Sequence, residues 1–559
     1  MLFEAVAGRA RRIFIRREFV GVKRAVKKAL RKGTDLKFLL AILFFILFFT
    51  TVLSVSKTFI GEKRSNPLLN FHQSTPVPAS RDSPIPHQRN NMLPSGDGRH
   101  EDQSLPSVKN LTAMDGDWQP VAATAFKFFV YSAYLDVRVN KLRVISAAKT
   151  IAPDRVSCRF WSSSGNESRI SPARVQAIRE NWNLMYTAAF VLCSLPMNLT
   201  FELSSVSVIH QLEAPITNHL LIRNLNVSFS PTSHHKRSSN FTSLAVCIQP
   251  VHNQFNDVNK LMEFIELNLL LGMSHFFLYN VSIGPEGSCA IQQYVKDGIV
   301  TILPWKLDMT SDKEIRMVGI FAALNDCLYR SMHHYSHTAV IDLDEFIIPQ
   351  EQLTLPQLIS RLDQKFDTRK TGGYSFRNTF FYLQWPDDAR LNHKYSAITD
   401  NFLTLRKTRR KVKLNRHRER SKYICKPELV KELGNHFIWQ FMPGYGMLEV
   451  SPDLGMSHHY RVCEFGGDDC VQAESIVDRT VYRYADSLIV NFKSRYTKFS
   501  ASCTLPRLSF DLWPAAHSSG AYFNLSEVHE FSQRILSNFT RGGGGADDVM
   551  DTDCLSSTV

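Results

Sequence analysis

Between Leu244 and Ile348 the chain alternates apolar, β-branched runs with amphipathic stretches, and this alternation narrows the possible folds more than any other feature. Leu244-Ala-Val-Cys-Ile248 reads as a buried strand. The stretch from about Asp257 to Leu271 reads as a helix, with Leu261, Phe264, Ile265 and Leu269 on one face and Gly272 just past its end. Strands at His275–Tyr279 and Ile299–Leu303 and helices over about Cys289–Val295 and Lys313–His334 continue the series. Strands that alternate with helices predict a mainly parallel, open α/β sheet.

The series ends in Thr338-Ala-Val-Ile-Asp-Leu-Asp-Glu-Phe-Ile-Ile-Pro349. An apolar strand running into Asp342, Asp344 and Glu345 puts acids at the carboxyl edge of the sheet, where open α/β sheets hold ligands. On extended backbone Asp342 and Asp344 point the same way. Two convergent carboxylates suit a hard divalent cation, Mn²⁺ or Mg²⁺, with positions left for phosphate oxygens. The glycine and later acids of a calcium loop are missing.

The chain has 559 residues and a net charge of +14, which by itself invites a nucleic-acid reading. Its distribution argues against one. Residues 1–37 carry twelve Lys or Arg against three acids, a net +9, and Arg406–Lys426 carries a further +10. The remaining chain is net acidic, and one patch plus a leader is not the broad basic footprint of a nucleic-acid binder.

Phe38–Ser56 holds 19 residues without a charge, long enough to span a bilayer. The basic leader places residues 1–37 in the cytosol and the rest in the lumen or outside, anchored by an uncleaved segment. All ten cysteines, from Cys158 to Cys554, lie beyond this run, as do eight glycosylation sequons beginning at Asn110. Both facts fit an oxidising compartment with several disulfides.

The expected organisation is a cytosolic tail (1–37), a signal-anchor (38–56), a Pro/Ser-rich stem (57–115), a β-rich accessory module (116–240), an α/β catalytic domain (241–500) and a C-terminal segment (501–559). The module shows strand-like runs at Phe126–Tyr131, Val137–Val139, Leu142–Ile145, Phe190–Cys193 and Leu220–Arg223, and no acid cluster. The C-terminal segment adds one helical stretch, about Leu525 to Leu536. Two later stretches carry histidines, Gly434–Trp439 and Met456–Arg461. His458 and His459 would face opposite sides of a strand, so at most one is a natural metal ligand.

Five motifs in order carry a resemblance: Leu269-Leu-Leu-Gly-Met-Ser-His-Phe-Phe-Leu-Tyr-Asn280, Leu324-Asn-Asp-Cys-Leu-Tyr-Arg330, Val340-Ile-Asp-Leu-Asp-Glu-Phe-Ile-Ile348, Ser421-Lys-Tyr-Ile-Cys-Lys-Pro427 and His459-Tyr-Arg461. Together they resemble glycosyltransferase family 92, over about Phe126 to Phe499. The resemblance implies a GT-A-like open mixed sheet flanked by helices, in a Golgi type II membrane enzyme. It further implies Mn²⁺ and transfer of galactose from UDP-galactose to a glycoprotein glycan in β-1,4 linkage. It puts Asp342 and Asp344 on the metal with His459 as third ligand, Asn325 and Asp326 in the nucleotide pocket, and Lys422 and Arg461 on phosphate. Inversion needs a general base, for which Asp468 and Asp469, after Gly466-Gly467, and Glu345 are candidates. Two other classes are a glycan-binding protein on an inactive transferase fold and a metal-dependent hydrolase. The presence of both acids and the histidine weighs against the first, and the lack of ligands for a second metal against the other. Oligomeric state stays open.

Overall fold

The computed structural model describes residues 108, 111–196, 201–226, 242–309, 311–389, 401–464 and 470–508. The basic leader, the Phe38–Ser56 run and nearly all of the expected stem lie outside them, as do Asp468, Asp469 and the Leu525–Leu536 stretch. Among the described residues no helix is long and apolar enough to cross a membrane.

The accessory module is a closed barrel. Its strands are β1 (Gln119–Pro120), β2 (Phe129–Asp136), β3 (Lys141–Lys149), β4 (Ser157–Ser162), β5 (Ser168–Ala177), β6 (Tyr186–Ser194), β7 (Leu203–Ile209) and β8 (Leu220–Arg223). They run in the order β1-β2-β3-β6-β5-β4-β7-β8, and β8 closes back on β2, pairing Ala133 with Ile222. Closure removes the free sheet edges. Val137–Val139 forms the turn between β2 and β3 instead of the expected strand, and Val139 N donates to Asp136 O at 3.2 Å.

Strands β2, β3 and β6 are largely apolar on both faces because both are covered. Val130, Val144, Phe160, Val191 and Val208 fill the interior, and the Cys158–Cys193 disulfide crosses it. Tyr131, Tyr134, Ile145, Ala188 and Phe190 point outward into a second core shared with Tyr279, Trp305, Leu324 and Leu328. A register shift between Val130 and Ser132 keeps the large tyrosines on that outer face. Each fully buried aromatic there contributes about 2–3 kcal/mol of apolar burial.

The α/β domain follows as β9 (Leu244–Cys247), α1 (Val258–Leu270), β10 (His275–Asn280), α2 (Pro285–Lys296), β11 (Val300–Pro304), α3 (Ile320–Ser331), β12 (His337–Val340), β13 (Glu345–Pro349), α4 (Leu355–Lys365), β14 (Thr371–Phe376) and β15 (Asn378–Tyr382). It continues with α5 (Leu403–Arg406), β16 (Arg409–Lys411), β17 (Lys422–Cys425), β18 (Val430–Leu433), β19 (Ile438–Phe441), β20 (Gly446–Glu449), β21 (Gly455–Arg461), β22 (Ser475–Val477) and α6 (Ala485–Ser500). The main sheet runs β11-β10-β9-β12-β17-β14-β20, with β9 to β12 mutually parallel and β17 antiparallel to both of its neighbours. The expected open mixed α/β sheet is therefore present.

Gly272 ends α1 at φ +93, the left-handed C-terminal conformation that glycine adopts without strain. Two expectations need correction. The helix expected over Lys313–His334 begins only at Ile320, because Met317, Val318 and Gly319 all have positive φ and break the helical path. The acid-tipped run is also not one strand. β12 ends at Val340, and β13 belongs to a separate three-stranded sheet, β13-β21-β15.

Candidate active site

The crossing between these two sheets builds the site. Ile341 to Asp344 carries the chain from the carboxyl end of β12 to β13, and Glu345 N donates to Asp342 O at 3.0 Å to close a tight turn. The turn replaces the extended backbone that the alternation suggested, yet it still gathers Asp342, Asp344 and Glu345 at one sheet edge. Asp342 N in turn donates to the Glu345 carboxylate at 3.1 Å.

Lys422, the first residue of β17, is fully buried beneath this turn. Its Nζ lies 2.9 Å from Asp342 Oδ2, 2.9 Å from Glu345 Oε2 and 3.0 Å from Asn435 Oδ1. On the other side β21 pairs antiparallel with β13, opposing His459 to Glu345. His459 Nδ1 stands 2.9 Å from Glu345 Oε1, short but off the line of an ideal hydrogen bond, and Nε2 stands 3.6 Å from Asp344 Oδ1. Lys260 completes the ring at 3.9 Å from Asp344 Oδ2. Asp257 caps α1 by accepting from Lys260 N at 2.9 Å, which fixes this lysine in the first helical turn.

Three carboxylates so close cannot share one electrostatic environment. Burial, reinforced by Glu345 and Asp344, pushes Asp342 up to about 6 against the pull of Lys422. Burial acts on Glu345 in the same direction, but Lys422 and His459 outweigh it and hold that carboxyl well below its usual range. Asp344 is likewise lowered, with His459 and Lys260 overcoming burial. Burial disfavours the charged form of His459, yet Glu345 and Asp344 raise it to about 9.

Glu345 is the wrong group for a general base. It is buried and held by Lys422, His459 and the Asp342 amide, so an acceptor hydroxyl has no route to it. It braces the Asp342 amide, the Lys422 ammonium and the His459 ring. Asn325 and Asp326 are not in a nucleotide pocket either. Asn325 accepts from Leu433 N at 2.9 Å and donates to Phe321 O at 2.8 Å. Asp326 accepts from Ser132, from Tyr134 at 2.6 Å, from Tyr279 at 2.7 Å and from Arg330 at 3.0 Å, all within the barrel interface. The family resemblance implied that pocket, whereas Asp326 is held by Ser132 and Tyr134, 194 and 192 positions away.

Lys422 is at the site but its charge is already paired with acids. Arg461 lies two positions beyond His459 on β21, pairs with Glu464 and stacks over Phe380 at 5.5 Å, while Phe380 meets the His459 ring at 5.4 Å. His458 faces the other way, fully buried 4.6 Å from the Phe381 ring. Lys260 and Asn435 escaped the sequence reading because a lone Lys in a helix and an Asn in a loop carry no spacing signal.

Among the described residues no three His, Cys, Asp or Glu side chains already stand as a metal-binding group. The donor chemistry nevertheless fits a divalent cation. His459 Nε2 and Asp344 Oδ1 face each other at 3.6 Å, a gap that a ring proton fills in the free site and that a cation can fill in its place. Glu345 stands beside Nδ1, the place of the acid in a carboxylate–histidine–metal arrangement.

Residues 242–501 match the family described as Glycosyltransferase family 92. The beta-1,4-galactosyltransferase galt-1 of Caenorhabditis elegans is 23% identical over 379 residues, covering 66% of this chain and 80% of that enzyme. Among solved structures, glucosyl-3-phosphoglycerate synthase from Mycobacterium tuberculosis in complex with phosphoglyceric acid aligns over 34% of this chain at 12% identity and a TM-score of 0.18, and the chain spans 58% of its length. Mannosyl-3-phosphoglycerate synthase from Rubrobacter xylanophilus aligns over 49% of this chain and 80% of its own, at 12% identity and a TM-score of 0.21.

Proposed function

Starting from a glycosyltransferase whose residues 242–501 belong to glycosyltransferase family 92, we propose that this chain transfers galactose from UDP-galactose to a glycoprotein N-glycan in β-1,4 linkage, with inversion, as a type II protein of the Golgi membrane. The observation that carries the reading is the convergence of Asp342, Asp344 and His459 at the carboxyl edge of the parallel strands. The beta-1,4-galactosyltransferase relative supports the choice of sugar and linkage. The uncharged run Phe38–Ser56 behind a basic leader supports the membrane topology.

Asp344, His459 and Asp342 would hold a divalent cation, which when bound offsets the charge that grows on a departing diphosphate. The chain's own groups do the rest. Glu345 orients the His459 ring, Lys422 neutralises the buried acids, and Arg461 offers a cation on the same face of β21. Asp468 or Asp469 takes the proton of the acceptor hydroxyl in this reading. Both sit in the segment whose ends are joined by the Cys463–Cys470 disulfide, which begins two residues after Arg461.

The test is turnover of a panel of UDP-sugars by the purified full chain, with and without Mn²⁺, using galactose-terminated N-glycans as acceptors and Asp344→Ala as the comparison. Metal-dependent galactose transfer that Asp344→Ala abolishes is the expected result. Transfer of another sugar would overturn the donor assignment, and equal activity in the variant would overturn the site.

A further inference from the structure

The barrel reaches the active site through one loop. Residues 178–185, between β5 and β6, pass along the same edge of the main sheet that carries Asp342. Glu180 Oε2 accepts from Asn435 N at 3.1 Å and from Trp439 Nε1 at 3.0 Å, and Asn435 Oδ1 accepts from Lys422 Nζ, the partner of Asp342. A Cβ on Gly434 would fall 2.3 Å from that Glu180 oxygen, so the approach needs glycine. A second contact ties the loop to the same edge independently. Arg316, in the connection that leaves the carboxyl end of β11, lies 4.7 Å over the ring of Trp182.

Trp182 is 60% exposed, although tryptophan gains more by burial than any other side chain of the loop. It stands at φ +56, followed by Asn183 at φ +54, a left-handed pair that bulky residues rarely adopt. The loop is braced to hold it there. Asn183 N donates to Asn181 Oδ1 at 3.0 Å, Thr150 Oγ1 donates to Leu184 O at 2.6 Å, and Tyr186 N donates to Glu314 O at 3.1 Å. With the guanidinium on one face of the indole, the other is presented to solvent.

We propose that this barrel loop is a wall of the acceptor subsite and that Trp182 is the stacking surface for a neutral sugar ring of the acceptor glycan. The inference rests on the transferase reading above. A pyranose offers an apolar C–H face whose partial positive charge complements the negative face of an indole. Strain held in a braced, exposed aromatic, two residues from the Glu180 that is linked through Asn435 and Lys422 to Asp342, is characteristic of ligand contact sites. The acceptor therefore lies between the metal-ligand turn and the barrel, and the barrel takes part in choosing it.

The test measures equilibrium binding of a galactose-terminated N-glycan to the full chain without donor, together with the acceptor KM in transfer. Trp182→Ala should weaken glycan binding and raise acceptor KM by about tenfold, the loss of roughly one good aromatic contact. Trp182→Phe should recover most of both. Ile151→Ser, at a still more exposed apolar residue on the neighbouring loop, is the control and should change neither. Wild-type and Trp182→Ala proteins that bind the glycan alike would overturn the proposal, as would loss of binding in the Ile151→Ser control. Turnover of UDP-sugar by the wild type in the absence of glycan reports separately on the transferase reading, so failure of one is distinguishable from failure of the other.

Discussion

His459 Nε2 faces Asp344 Oδ1 across 3.6 Å, while the opposite ring nitrogen rests on Glu345. The imidazole is thus held between an outer acid open to solvent and an inner acid that is buried. Replacing the inner acid should act on the metal through the ring. Glu345→Gln should weaken Mn²⁺ binding by about 10- to 100-fold, the usual effect of losing the partner of a ligating histidine. Titration of Mn²⁺ into the variant checks this, and unaltered affinity would remove Glu345 from the site.

Lys422 faces the carboxylates of Asp342 and Glu345 from below. Lys422→Met takes the ammonium from Asp342, leaves Glu345 to His459 alone, and should cost about 3–5 kcal/mol of stability. Urea denaturation reads the change. A loss under about 1 kcal/mol would mean that water reaches the acids and replaces the ammonium.

Asp326 gathers Ser132 and Tyr134 of the barrel and Tyr279 and Arg330 of the α/β domain, and Arg330 also binds Asp115 at 2.9 Å. Asp326→Ala strands all of these groups, at a cost of about 3–5 kcal/mol. Calorimetry should show one lowered transition for barrel and domain together. Two separated transitions would show that they unfold independently.

His337 is buried, has Ser336 Oγ at 3.0 Å from Nδ1, and leaves Nε2 without a partner. Burial, aided by Lys426, pushes its imidazole down to about 3. The folded protein therefore binds fewer protons than the unfolded chain between about pH 6.5 and 3. The stability this group confers is complete above about 6.5 and is lost as pH falls. His337→Phe should lose about 2 kcal/mol less than wild type between pH 7 and pH 5. Equal pH slopes in paired urea titrations would contradict it.

Much of the α/β domain could be read from local patterns, because β9, α1, β10 and β11 each carry the period of their own element and Gly272 marks a helix end. The turn at Asp342 to Asp344 could not, since Val340 and Phe346 are equally apolar and nothing local tells that they belong to different sheets. The acids were visible because carboxylates after a strand are unusual. Lys422 was noticed as a cation, but its burial depends on pairing across 80 residues of sequence. Asn325 and Asp326, which the resemblance put in a nucleotide pocket, are held elsewhere by Leu433 and Ser132, partners that local sequence does not show.

The family match begins at residue 242, yet Tyr279, Trp305 and Leu324 are buried against Tyr131, Tyr134 and Phe190 of the barrel. A fragment starting at that boundary would emerge with this apolar face bare, with Asp326 deprived of the Ser132 and Tyr134 hydroxyls and Arg330 of the Asp115 carboxylate. The span of the family match is smaller than the packed unit. Any grafting of this domain onto another carrier has to bring the barrel along, or replace a whole hydrophobic wall with a polar one.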